Sequence, residues 1–167
     1  FTIHRYVYAD VDSNIQCWTP SNLISLSEKF GSQFPRNAWE TPSPLSNDVL
    51  QITPNQWEKL GQVDILITGP PCPPFSQART KSMAGKDKRS DVMRAVIAHI
   101  WFLHSIQKTD HNPAGLGWIV ENVPGAATDL KCLQMLGMPV IANACCLGSG
   151  ALRRTACWSN SACPRLV

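Results

Sequence analysis

Apolar positions along the chain follow two patterns, one suited to strands and one to helices. Compact apolar runs at residues 5–9, 63–68, 118–123, 139–146 and 155–158 have the length and composition of strands. Residues 21–30, 54–60 and 128–136 read as helices, each stopped by a glycine (Gly31, Gly61, Gly137). Residues 91–107 place apolar side chains at 92, 93, 96, 97, 100, 101 and 103, a helical spacing, with Ser90 as the expected N-cap. His99 and His104 lie on that helix and read as packing or surface residues. Residues 32–46, rich in Ser, Pro and Asn, and residues 109–117 read as loops. Alternating strands and helices predict one α/β domain over 1–167 with a mainly parallel sheet.

Composition adds limits rather than a function. With 167 residues, 44% of them hydrophobic, the chain is long enough for one domain with its own core. No apolar run approaches 18 residues, so no transmembrane helix is expected. No signal peptide is visible, and the first residue is Phe1 rather than Met, so the chain reads as an excerpt of something longer. Seven cysteines (17, 72, 132, 145, 146, 157 and 163) without a Cys-x-x-Cys pair suit a reducing compartment better than a disulfide framework or a zinc site. The net charge of +3 is too small to argue for nucleic-acid binding, but its distribution is uneven. Arg79, Lys81, Lys86, Lys88 and Arg89 stand against the single Asp87. Such a run is either a solvated loop or a set of phosphate contacts.

That basic run follows the most informative stretch, Gly69-Pro70-Pro71-Cys72-Pro73-Pro74-Phe75-Ser76-Gln77. Prolines fix their own φ and restrict the residue before them, so Cys72 sits in a stiff, extended loop after the strand at 63–68. In open α/β sheets ligands bind at the C-terminal ends of strands. A thiol there is presented rather than packed. Glu121-Asn122-Val123 ends the run beginning at Trp118, with Glu121 49 residues beyond Cys72.

These two motifs, in this order and at strand ends, resemble those of the DNA cytosine-5 methyltransferases. The resemblance implies a Rossmann-like, S-adenosylmethionine-dependent fold. It makes Cys72 the nucleophile that adds to C6 of cytosine, activating C5 to accept a methyl group. Glu121 would supply the proton at N3, and Asn122 would hold the loop or the base edge by hydrogen bonds. A plainer alternative for Glu121 is a helix cap. The target base must leave the duplex to be reached. The family's arginine-bearing motif, which touches that base and its phosphate, corresponds to Ala151-Leu152-Arg153-Arg154-Thr155. Arg153 matches its first arginine, whereas Ala151 replaces the glutamine and Thr155 the second arginine.

On the cofactor side, Asp10 resembles the family's ribose-binding carboxylate, with Asp12 as a rival. Asp48 resembles the acceptor of the adenine amino group, with Val49 packing on the ring; the plainer alternative for Asp10 and Asp48 is that they are ordinary turn residues. Pro70 is expected against the cofactor, and Pro71, Ser76, Arg79, Lys81 and Lys88 against DNA. The family's first strand and glycine-rich loop have no counterpart in these residues, nor do its target-recognition domain and final helix. The loops look most similar to the eukaryotic de novo type, which implies a nuclear location, a bacterial cytoplasm being the alternative, and a methyltransferase homo- or hetero-oligomer. Without the central first strand, residues 1–167 alone are expected neither to bind S-adenosylmethionine tightly nor to methylate DNA.

Three rivals remain at this point. The chain could be a non-catalytic, methyltransferase-like partner, as the changes at 151 and 155 suggest. It could methylate cytosine in transfer RNA by the same chemistry. It could also be an unrelated α/β enzyme with a thiol nucleophile, such as an amidohydrolase, which would need a histidine beside Cys72.

Overall fold

A computed structural model describes residues 5–31, 44–73, 88–109, 115–129, 131–143 and 154–160. The chain divides into two compact units, Phe1–Gly61 and Gln62–Val167. Among the described residues no helix is long and apolar enough to cross a membrane.

In the first unit, α1 spans Ser13–Phe30 and α2 spans Pro54–Leu60, with a 3-10 turn at Val49–Gln51 between them. α1 begins well before the expected start at 21 and continues through Pro20, a residue that lacks the N–H for an i→i−4 bond. It buries Leu23 and Ser27, one helical turn apart on a single face. α2 has the expected bounds, and its ends are chemically defined. Thr53 and Gln56 form a reciprocal capping box, Pro54 occupies the first turn, and Gly61 closes the helix at φ +83°, a conformation that favours glycine. Trp57 and Leu60 are buried, as are Leu45 and Ile52. The strand expected at residues 5–9 does not form; Tyr6 makes only an isolated bridge. The Arg5 guanidinium instead donates to the Leu60 carbonyl at 2.6 Å, meeting an acceptor that a helix C-terminus leaves open.

The second unit contains β1 (Ile65–Thr68), α3 (Arg89–Gln107), β2 (Gly117–Asn122), α4 (Ala126–Asp129), α5 (Lys131–Gln134), β3 (Val140–Asn143) and β4 (Arg154–Ser159). The four strands form one sheet in the order β1-β2-β4-β3. The architecture is α/β, but the sheet is mixed. Only β1 and β2 are parallel; β2–β4 and β3–β4 are antiparallel. Connection length accounts for the β1–β2 and β3–β4 pairings. A parallel return needs a crossover of a dozen or more residues, which α3 supplies between β1 and β2, while only residues 144–153 separate β3 from β4.

The period of two is clean on the central strands. Trp118, Val120 and Asn122 of β2 are buried beside Ala156 and Trp158 of β4, while Ile119, Glu121, Thr155 and Cys157 on the other face are half-buried. α3 buries Met93, Val96, Ile97, Ile100 and Leu103 along one stripe. Its N-cap is Lys88, without a side-chain capping bond; Ser90 lies inside the first turn, fully buried, and is not the cap. Asp91 in that turn suits the helix dipole and pairs with Arg94 at 2.5 Å, an exposed contact of little net stability. The helix expected at 128–136 is two short helices, α4 and α5, with Gly137 following at φ +83°. The His104 ring packs edge-on to Trp101 at 6.3 Å. A Cβ at position 115 would lie 2.9 Å from His104 Nδ1, so that position requires glycine.

Candidate active site

Parallel pairing of β1 with β2 is what assembles the site. Thr68 stands opposite Val120, so the chain leaving β1 at Gly69 runs beside the end of β2, where Glu121 and Asn122 lie. The C-terminal ends of both strands therefore point the same way, as ligand-binding ends do in sheets of this kind. A Cβ built on Gly69 would sit 3.5 Å from Glu121 Oε2, which places that carboxyl directly against the loop that leads to Cys72. Pro70 is buried, Pro71 is exposed, and the reduced Cys72 thiol is half-buried.

Asn122 binds this loop to the sheet. Its side chain is 1% exposed, and its amide nitrogen donates to the Pro70 carbonyl at 2.9 Å. Its amide oxygen accepts from the Val123 backbone N–H, also at 2.9 Å. A buried amide thus has both ends engaged, one holding the loop two residues before Cys72 and the other shaping the turn after β2. Of the two roles expected for Asn122, the geometry displays loop holding.

Glu121 projects from the opposite face of β2. Antiparallel pairing sets it across from Cys157 on β4, with Thr155 as its diagonal neighbour on the same face. The Thr155 hydroxyl is hydrogen-bonded to Glu121 Oε1 and lies 3.2 Å from the Asn122 carbonyl oxygen. Glu121 belongs to a strand and bonds across to another strand, so the helix-cap alternative does not describe it. Sequence reading flagged Thr155 only as a missing arginine. Its contact with Glu121 depends on the β2–β4 register, which no local pattern encodes.

Asn160, just beyond β4, was also not singled out. Its side chain donates to the Leu116 carbonyl at 2.6 Å and accepts from the Trp118 N–H at 2.9 Å, clasping the entry of β2. These bonds hold β2 and β4 in the register that sets Thr155 beside Glu121. A polar residue after a strand gives no signal of such a role.

The cofactor candidates Asp10, Asp48 and Val49 lie in the first unit. Asp10 accepts from the Asp12 N–H at 2.8 Å, a local turn that makes Asp12 its neighbour as well as its rival. Asp48 caps the 3-10 turn by accepting from the Leu50 N–H at 2.9 Å, and Val49 is half-buried. Both aspartates therefore do hold turns. An ionised carboxylate has about four lone-pair sites, so a local turn bond does not by itself prevent it from accepting from hydroxyl or amino groups of a ligand. Such acceptors suit the hydroxyls of a ribose or an adenine amino group. Lys88 is exposed at the start of α3. Arg153, Ser76, Arg79 and Lys81 lie outside the described residues.

Comparison with known proteins bears on the family and the fold. The family model described as C-5 cytosine-specific DNA methylase matches residues 33–131. The solved structure of the Entamoeba histolytica methyltransferase EhMeth is similar, with a TM-score of 0.55 at 16% sequence identity. The likeness covers 95% of this chain and 45% of that one, so the chain spans less than half the length of this relative. At that identity the likeness speaks for the fold. No curated protein is matched by the chain.

Proposed function

Because the chain belongs to the C-5 cytosine-specific DNA methylase family, we propose that its protein methylates C5 of cytosine in DNA, with S-adenosylmethionine as methyl donor. The observation that carries this reading is the joining of the Cys72 loop to Glu121 and Asn122 at the adjacent ends of β1 and β2. Cytosine C5 is too weak a nucleophile to take a methyl group unaided. Addition of the Cys72 thiolate to C6 breaks the C5–C6 double bond and moves an electron pair onto the ring, where Glu121 supplies a proton at N3. C5 is then rich enough to attack. The donor's sulfonium centre provides the electrophilic methyl group. Loss of the C5 proton to a base then expels Cys72 as thiolate, and return of the N3 proton to Glu121 restores the ring and the acid.

Asn122 keeps the Cys72 loop in place throughout, and Arg153 is assigned to the flipped base or its phosphate. Asp10, Asp48, Val49 and Pro70 are assigned to the cofactor. DNA as partner belongs to the same reading, and a nuclear location rests on the likeness of the loops to the eukaryotic de novo type, a bacterial cytoplasm being the alternative; Pro71 and Ser76 are assigned to the target strand. Transfer of labelled methyl groups from S-adenosylmethionine by the intact protein is the test. Label on C5 of duplex cytosine supports the reading. Label on transfer RNA alone, or none on either, overturns it.

Arg79, Lys81 and Lys88 are assigned to DNA phosphates. Changing Lys81 and Lys88 together to glutamine should weaken binding to all sequences alike. The slope of log affinity against log salt should flatten by about two, since each phosphate contact releases close to one counterion. Binding titrations at several salt concentrations read this directly. A changed sequence preference at constant slope would mark these lysines as base readers instead.

A further inference from the structure

Thr155 stands where the family resemblance expects an arginine, and the two side chains differ in one chemical respect that matters beside an acid. A guanidinium can only donate hydrogen bonds, whereas a hydroxyl donates one and accepts others. The Thr155 oxygen has two neighbours, Glu121 Oε1 and the Asn122 carbonyl oxygen at 3.2 Å. Its single proton can point fully at only one of them. When Glu121 is ionised, Thr155 donates to the carboxylate. When Glu121 carries a proton, the carboxyl O–H can donate to Thr155 Oγ1, and Thr155 can turn its own proton to the Asn122 carbonyl. Both arrangements use the same three heavy atoms, and neither requires a side chain to change rotamer.

From this geometry we infer that Thr155 is a positioning residue whose hydroxyl holds the Glu121 carboxyl in both its protonated and its ionised state. This rests on the proposed function for its purpose, since a group that gives up and regains a proton each turnover needs a partner for both states. The hydrogen bonding itself does not depend on that reading. Thr155 is assigned to act through Glu121, to which it is hydrogen-bonded. The neighbouring contacts make the arrangement stiff. Asn122, which offers the alternative acceptor, is also the residue whose side chain holds the Pro70 carbonyl. The Asn160 clasp on β2 preserves the register from the other end. A fixed cation at position 155 would lack the accepting half of this exchange.

The test compares Thr155→Val, which keeps the shape without the hydroxyl, with Thr155→Ser, which keeps the hydroxyl, in the intact protein. The side-chain carboxyl carbon of Glu121 is followed by NMR through a pH titration, its resonance assigned as the one missing in Glu121→Gln. In Thr155→Val this resonance should shift from wild type at both the acidic and the basic plateau, while Thr155→Ser should follow wild type. A resonance unchanged by Thr155→Val at either plateau overturns the inference, as does a Thr155→Ser variant that behaves like Thr155→Val. Single-turnover methyl transfer supplies the functional arm. Thr155→Val should slow it by up to about a hundredfold, the cost of a misplaced catalytic group, with DNA affinity kept within about twofold and with most of the loss recovered by Thr155→Ser. A wild-type protein that transfers no methyl group would sink the proposed function, yet the Glu121 resonance would still decide the role of Thr155.

Discussion

Cys72→Ser is expected to abolish the proposed methyl transfer and, with it, the covalent trapping of DNA that carries 5-fluorocytosine. The expected loss in turnover is about 10⁴-fold or more, the scale seen when an enzyme loses a covalent nucleophile. The thiol is at the end of β1, in a loop stiffened by prolines and tied to β2, and is half-buried rather than packed away. A serine hydroxyl has nearly the same shape but is far less acidic, so it cannot supply an anionic nucleophile at neutral pH. Fluorine at C5 blocks the final elimination, so an intact site should remain joined to its DNA. Denaturing electrophoresis followed by peptide mapping reads the outcome. An adduct that survives in Cys72→Ser, or that maps to Cys157, the other described reduced cysteine, would remove Cys72 from its assigned role.

Asn122→Ala is expected to lower the stability of the protein by about 2–4 kcal/mol and to slow the proposed methyl transfer as well. The change empties a buried site and leaves the Pro70 carbonyl and the Val123 N–H without their present partner. Each buried polar group left unsatisfied costs about 1–3 kcal/mol, more than the net worth of the bond that was lost. Asn122→Asp separates shape from donor capacity. The aspartate could still accept from Val123, but it would turn an oxygen lone pair toward the Pro70 carbonyl and bury a charge, so it should be at least as damaging. Freeing the loop also lets Cys72 drift, and a displacement of about 1 Å at a reacting group can cost about a hundredfold in rate. Urea unfolding and single-turnover kinetics on the two variants check both effects. Stability within about 0.5 kcal/mol of wild type for Asn122→Ala would show that the Pro70 bond does not hold the loop.

What could be read from the chain alone was whatever nearest neighbours decide. α2 was legible to the residue, because its capping box, its proline and Gly61 act within a single turn at each end. β1 and β2 were legible as apolar runs, and the loop at Cys72 as a consequence of the prolines around it. The errors share a cause. Residues 5–9 have strand composition, but a strand needs a partner, and Arg5 instead meets the end of α2. Ser90 has the chemistry of an N-cap, yet it is buried two residues past the cap position, which Lys88 holds.

The same division runs through the site. Cys72, Glu121 and Asn122 could be picked out because chemically apt residues ended two strand-like runs. Which groups touch was decided elsewhere. Parallel pairing of β1 with β2 brought Glu121 to Gly69, and the amide of Asn122 found a carbonyl 52 residues away. Antiparallel pairing of β2 with β4 set Thr155 beside Glu121, and Asn160 held that register. Turns and caps follow from the short-range sterics of a few consecutive residues. Strand direction and register are long-range choices, made by closing loops and burying one face of the sheet, and so only the tertiary structure could decide them.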